Sequence, residues 1–243
     1  MMAAGAFAVG AIVGSFLNVC ASRLPKGRSL WMPGSACPAC ASPIRWYDNI
    51  PVLSFLLLRG RCRDCAGRIA WRYPIVEMTT ALLFAGAYLR IGWRADLVLA
   101  LLFLCVLVVI TAIDIEHQLI PDRVTLPGIV AGFAGSVATG RGSWSEPLVG
   151  ILLGGGVFFV IILLSGGGMG GGDMKLGAMI GAFLGWKLLL PALFLAVFLG
   201  GVVAAALLAA GRKGRKDPIP FGPFLAFGAA VSLFWGGELC NGT

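Results

Sequence analysis

Eight apolar runs, each near the roughly 20 residues that a helix needs to cross the hydrocarbon of a bilayer, take up most of this 243-residue chain. They fall near 3–20, 74–91, 96–113, 124–140, 147–165, 175–189, 191–210 and 220–238. With 58% hydrophobic and 12% charged residues and a mean hydropathy of +0.92, the composition is far from that of a soluble domain. The expected fold class is therefore an all-α polytopic membrane protein of about eight transmembrane helices. The two runs on either side of Pro191 are joined by almost no loop, so seven is the alternative count. The first run lacks a preceding basic residue and ends in SFLNVCASR without a small-residue cleavage site, so it reads as a retained helix.

Positive charge sets the expected orientation, because Lys and Arg accumulate in short cytoplasmic loops. Nine of the 19 basic residues lie between Arg23 and Arg72, and four more form RKGRK at 212–216. With eight helices, both stretches and the segments around 114–123 and 166–174 face the cytoplasm, and both termini lie outside. The net charge of +8 is thus read as loop anchoring against the lipid bilayer, with no nucleic-acid partner.

The chain divides into a first transmembrane helix (1–20), a polar cytoplasmic loop domain (21–73) and a helical bundle (74–243). Small residues at four-residue spacing, Gly10 and Gly14, then Gly177, Gly181 and Gly185, are expected to form close helix seams. Glycine-rich tracts at 154–156 and from Ser165 to Asp173 are expected to loosen or break helices. No internal repeat is evident at this level.

The loop carries Cys37-Pro-Ala-Cys40 and Cys62-Arg-Asp-Cys65, two CxxC pairs separated by 21 residues. Each pair can present two thiolates from one turn, and two such turns complete a tetrahedral Zn²⁺ site. A reducing compartment disfavours disulfides, and four cysteine ligands leave no open coordination position, so the metal is expected to be structural. The alternative is a pair of redox-active or unliganded CxxC motifs. Cys20, Cys105 and Cys240 read as small apolar fillers.

Only 11 acidic residues occur, so those at helix ends are informative. Asp114, Glu116 and Asp122 follow an apolar run, with Pro121 marking where the next helix can begin, and Asp173 follows the glycine tract. On the expected topology Asp114 and Asp173 share one membrane face. Two carboxyls brought close together share a proton and can divide the roles of base and acid. The blander readings are an ion-paired helix-end acid for Asp114 and an N-terminal helix cap for Asp173. His117, the sole histidine, reads as an interfacial surface residue.

The ordered set GSFLNVCASRLP (14–25), CPAC, WYDNIPVLSFLLLRGRCRDC, RYPIVEM (72–78), Asp114 with IPD (120–122), GGGDMKL (170–176) and IPFGPFLAFG (219–228) resembles the type IV prepilin leader peptidases over nearly the whole chain. The resemblance implies a GxGD-type aspartic protease of bacterial pilus and type II secretion systems, with Asp114 and Asp173 as its catalytic pair. It implies cleavage of prepilin or pseudopilin leaders after a glycine at the cytoplasmic face of the inner membrane. It also implies methylation of the new N-terminal residue, usually phenylalanine, from S-adenosylmethionine, because members carrying the tetracysteine loop have both activities. Glu116 stands where the family often has a second aspartate. Gly170 and Gly172 would let backbone approach the substrate, while Glu77, Glu116, Asp122 and Lys175 would contact the basic leader or support the dyad. Lys175 could equally snorkel to the interface. The rival readings are a small transporter with paired intramembrane carboxylates, which would sit near the bilayer midplane, and a methyltransferase or scaffold without protease activity.

Overall fold

The structure, a computed structural model, describes the chain except residues 1, 33, 141–142, 165–169, 213, 215–218 and 242–243, and the side chains of 237–241. Most of the glycine tract before Gly170, Arg141, three of the four RKGRK cations and the Cys240 side chain therefore lie outside the described residues. Among the described residues no strand forms. The elements are α1 (Met2–Arg23), a 3₁₀ turn (Trp46–Asn49), a short α2 (Leu53–Leu57), α3 (Arg72–Ile91), α4 (Ala95–His117), α5 (Asp122–Ala138), α6 (Ser145–Leu164), α7 (Gly171–Ala209) and α8 (Gly222–Asn241). Five of these helices are long and apolar enough to cross a membrane: α1, α3, α4, α6 and α7. The chain is a multi-pass membrane protein.

Helix α7 accounts for two of the expected runs. Its 39 residues would extend about 58 Å at 1.5 Å per residue, roughly twice the hydrocarbon thickness. It is interrupted at Gly185, where φ is 72° and ψ is 171°, a region essentially restricted to glycine. The sequence suggested the break at Pro191. Pro191 instead lies inside the second half with the helix continuing past it, because proline sacrifices one hydrogen bond whereas Gly185 reverses the sign of φ. Counting α7 as two gives eight segments in all, including the 17-residue α5 and the shorter apolar α8.

The chain forms two compact units, residues 1–97 and 98–243. In the first, α1 packs along α3 through the predicted seam: a Cβ on Gly10 would lie 2.8 Å from Ala81 Cα, and one on Gly14 would lie 2.8 Å from Glu77 Cα. The loop and both of its flanking helices thus belong to one unit.

In the second unit α7 is central, packing against α5, α6 and α8. A Cβ on Gly150 or Gly154 of α6 would overlap the carbonyls of Gly181 and Gly177, so the two backbones are in contact. Helix α5 makes a further seam, Gly128 under Met179 and Gly132 under Phe183. Phe103 stacks on Phe183 with ring centroids 4.6 Å apart in the same core. Gly177 and Gly181 therefore act as packing positions, whereas Gly185 serves the break. Because overfilling a packed seam costs about 1–3 kcal/mol or more, Gly181→Ala is expected to lower the Tm in detergent. Gly156→Ala, in the glycine tract of α6 but with nothing within 4 Å, is expected to leave Tm unchanged or raise it, as helix propensity favours alanine. Equal Tm values for the two variants would contradict the backbone-contact seam.

Candidate active site

Helix α4 carries a continuous apolar stretch into the core and ends at His117, where Gln118 takes a positive φ of 49° and turns the chain. Asp114 sits one turn before that end. It is 5% exposed, and its Oδ2 accepts a hydrogen bond of 2.9 Å from the Gly222 amide at the start of α8. A Cβ at Gly222 would lie 2.7 Å from that oxygen, so only glycine admits this approach. The first-turn amides of a helix attract negative charge, so α8 supplies a neutral donor to a buried acid.

Asp173 lies in the first turn of α7 and is half-buried. The N-cap is Gly170, with no side-chain cap bond, and the Asp173 amide donates to the Gly170 carbonyl at 3.2 Å. Asp173 is therefore not the helix cap that the sequence allowed. Its carboxyl is free of that duty and near enough to Asp114 to feel that carboxyl's charge. Two acids at the ends of separate helices thus belong to one unit.

The supporting residues divide. A Cβ on Gly170 would lie 4.0 Å from Asp173 Oδ2, and one on Gly172 would lie 2.9 Å from Ile120 Cβ; the start of α7 therefore rests on the Ile120-Pro121-Asp122 segment. Pro121 caps α5 as expected, and Asp122 opens it. Lys175 Nζ donates to both Asp122 oxygens, at 2.6 and 2.7 Å, tying the beginnings of α5 and α7 together. Glu116 is exposed, with its Oε2 3.9 Å from His117 Nε2, which places His117 on the surface. Glu77 belongs to the first unit, where its Oε2 accepts from the Val52 amide at 2.7 Å. Gly222 was read from the sequence only as part of a longer string. Nothing local marks a Gly-Pro pair as the neighbour of an acid 108 residues earlier.

In the loop the four Sγ atoms of Cys37, Cys40, Cys62 and Cys65 lie within 4.8 Å of one another. The Cys37–Cys65 pair is 3.8 Å apart, which is about the S–S edge of a tetrahedron with Zn–S bonds near 2.3 Å. The set fits a tetrahedral metal such as zinc. Each CxxC forms the same turn. Ala41 and Ala66 take positive φ of 58° and 55° and donate back to the Cys37 and Cys62 carbonyls at 2.9 and 3.0 Å. Isolated bridges Ala36–Pro43 and Arg61–Arg68 close the turns. The sequence contains the repeat after all: CPACASPIRW (37–46) and CRDCAGRIAW (62–71) agree at both Cys, Ala, Ile and Trp with an offset of 25. It is short and its variable positions differ in charge, which hid it. The Ser42 hydroxyl and amide hold the Cys40 thiol down to about 6, and the amides of Cys65 and Asp64 lower Cys62, whereas Cys65, despite the Gly67 amide, is pushed up to about 12 by the three sulfurs around it. The Arg63 guanidinium grips Asp48 of the 3₁₀ turn at 2.6 and 2.9 Å, holding that carboxyl below its usual range. Cys20 is buried as a filler should be.

Comparisons with known proteins agree with this layout. Residues 8–91 match the Bacterial Peptidase A24 N-terminal domain, and residues 101–205 match the Type IV leader peptidase family. A prepilin leader peptidase/N-methyltransferase of Myxococcus xanthus is 41% identical over 216 residues, which is 86% of this chain and 64% of that protein. Proteins of the same name from Bacillus subtilis and Pseudomonas aeruginosa are 36% and 35% identical. The matches cover 97% and 95% of this chain, and 95% and 89% of the relatives. This chain therefore spans just under two thirds of the Myxococcus protein but nearly all of the Bacillus one. No solved structure matches it.

Proposed function

This chain belongs to the type IV leader peptidase family, and from that membership we propose that it is a membrane-embedded aspartic endopeptidase that removes the leader of type IV prepilins and pseudopilins, then N-methylates the new N-terminal residue. The observation that supports the protease reading is the placement of Asp114 and Asp173 at the ends of different helices of one unit, with the charge of Asp114 reaching Asp173. In a coupled carboxyl pair one member takes a proton from water while the other donates to the scissile carbonyl oxygen. Water between the two attacks the carbonyl after the leader glycine. The Gly222 amide holds Asp114 through one oxygen and leaves its other oxygen for this work. The Asp122–Lys175 pair fixes where α7 begins and so where Asp173 stands.

Asp114 lies in the last turn of α4 and Asp173 in the first turn of α7. Helix-end acids suit a substrate whose apolar segment lies in the lipid bilayer while its short basic leader runs along the surface. They do not suit a proton or cation pathway through the bilayer midplane. Exposed Glu116 would lie on the surface along which such a leader runs. We assign the enzyme to the bacterial inner membrane with its active site at the cytoplasmic face, on the strength of the basic loops around 23–72. Cys37, Cys40, Cys62 and Cys65 would hold a structural Zn²⁺ that supplies a fold rather than a reactive site. S-adenosylmethionine would supply an electrophilic methyl group on its sulfonium. The helix, loop and bundle divisions at 1–20, 21–73 and 74–243 serve as the functional parts of this scheme.

The test is to incubate the purified, lipid-reconstituted full chain with a prepilin and follow the product by intact-mass analysis. Loss of the leader is expected without a methyl donor, and a further gain of one methyl group with it. An unshortened prepilin would reject the protease reading; a shortened, unmethylated product in the presence of the donor would reject the second activity.

A further inference from the structure

The seam between α1 and α3 holds polar groups that close packing alone does not need. Asn18 is 2% exposed; its Nδ2 donates to the Tyr73 carbonyl at 3.1 Å, yet its Oδ1 has no hydrogen-bond partner among the described residues. One turn along both helices, Glu77 is 8% exposed and lies where Gly14 lets its backbone come close. It accepts from the Val52 amide at 2.7 Å and from the Ser15 hydroxyl. No Lys or Arg pairs with it among the described residues. A carboxylate can accept about four hydrogen bonds, so two neutral donors leave capacity unused. Val52, which brings its amide to Glu77, is a β-branched residue held at φ 59°, a conformation that such residues rarely adopt. Strain of this kind concentrates at functional sites.

An unpaired amide oxygen and an under-used carboxylate, both inside a helix seam, suit a compact cation that donates hydrogen bonds. We propose that Asn18 and Glu77 form the acceptor site for N-methylation: they bind the α-ammonium of the cleaved substrate, and Glu77 removes its proton. This rests on the methyltransferase part of the reading above. The α-ammonium gives one proton to the Glu77 carboxylate. The freed nitrogen lone pair then attacks the donor's methyl carbon, the new N–C bond forms, and the C–S bond breaks with its electron pair passing to sulfur. The product is a methylammonium and a neutral thioether, and the proton on Glu77 leaves to water. The groups on α1 and at the α2 cap that meet Glu77, namely Ser15 and the Val52 amide, do not titrate, nor does Asn18 at the neighbouring level.

The experiment uses the full-length protein in detergent or lipid. Binding of a peptide with the mature substrate's free N-terminus is measured without donor, beside its N-acetylated form, for wild type, Glu77→Gln and Asn18→Leu. Both variants are expected to weaken binding of the free-amine peptide by about tenfold or more and to leave the acetylated peptide unaffected. Methylation by Glu77→Gln at pH 6.5 should fall about 100-fold and recover as pH rises past about 8, where the α-amine is neutral in water. Bound metal and Tm should remain at the wild-type level in both, which shows that the variants fold. Wild-type methylation by Glu77→Gln at pH 6.5, or equal losses for free and acetylated peptides, would overturn the assignment. Loss of cleavage and metal together with methylation would show a structural role and would equally overturn it. If wild type itself transferred no methyl group, the failure would belong to the underlying functional reading instead.

Discussion

Asp114→Asn and Asp173→Asn are each expected to lower prepilin cleavage by about 10²–10⁴-fold, the scale of a lost general acid or base, while the protein remains folded. The expectation follows from how the two acids are held. Asn keeps the volume of Asp, and at 114 its amide oxygen can still accept from the Gly222 amide; what disappears is the ability to exchange a proton with water or with the carbonyl oxygen. The double variant should be little worse than either single one, because residues that act as a unit are not additive. Initial rates of leader removal in reconstituted lipid, with Tm as the control for folding, measure this. A single variant that cleaves at the wild-type rate, or a double variant whose defect is the product of the two single ones, would contradict a shared-proton pair.

How much of this was legible in the chain depends on the range of each interaction. Apolar runs showed the helices because crossing a bilayer is a property of about 20 consecutive residues, and the CxxC pairs showed a metal-type cluster because their spacing is local. The glycine seams at Gly10 and Gly14 were visible as small residues on one face, but the partners of Gly128, Gly132, Gly150 and Gly154 exist only once α5 and α6 meet α7. The break in α7 was misplaced because a proline is a conspicuous breaker whereas a glycine among many glycines is not. Lys175 was ambiguous until its partner Asp122, 53 residues away, could be seen. Asp173, which does not cap α7, shows the converse: residue type suggested a role that depends on what stands opposite, whereas His117 is the surface residue that it was read as.

Removing one cysteine ligand should have a large effect on a different observable. Cys37→Ser and Cys62→Ser are each expected to reduce the bound metal from about one equivalent toward none, since a structural Zn²⁺ site is worth about 10–16 kcal/mol of coupled folding and binding and serine is a poor ligand for zinc. Between the turns, residues 41–61 have few buried side chains; Trp46, Leu53, Leu56 and Leu57 are exposed and only Ser54 is buried. The Arg63–Asp48 pair is surface-exposed on the arginine side, where water and salt leave such contacts little net worth. The Phe55–Trp71 ring contact at 4.9 Å adds similarly little. Without metal, then, nothing of comparable size holds the two turns together, and limited proteolysis should cut between Trp46 and Leu57 in both variants but not in wild type. Because each turn supplies half the ligands and repeats the same geometry, the two substitutions should be equivalent. Full metal content in either variant, or resistance of the loop to protease after metal loss, would mean that the fold of residues 35–71 rests on something other than the four thiolates.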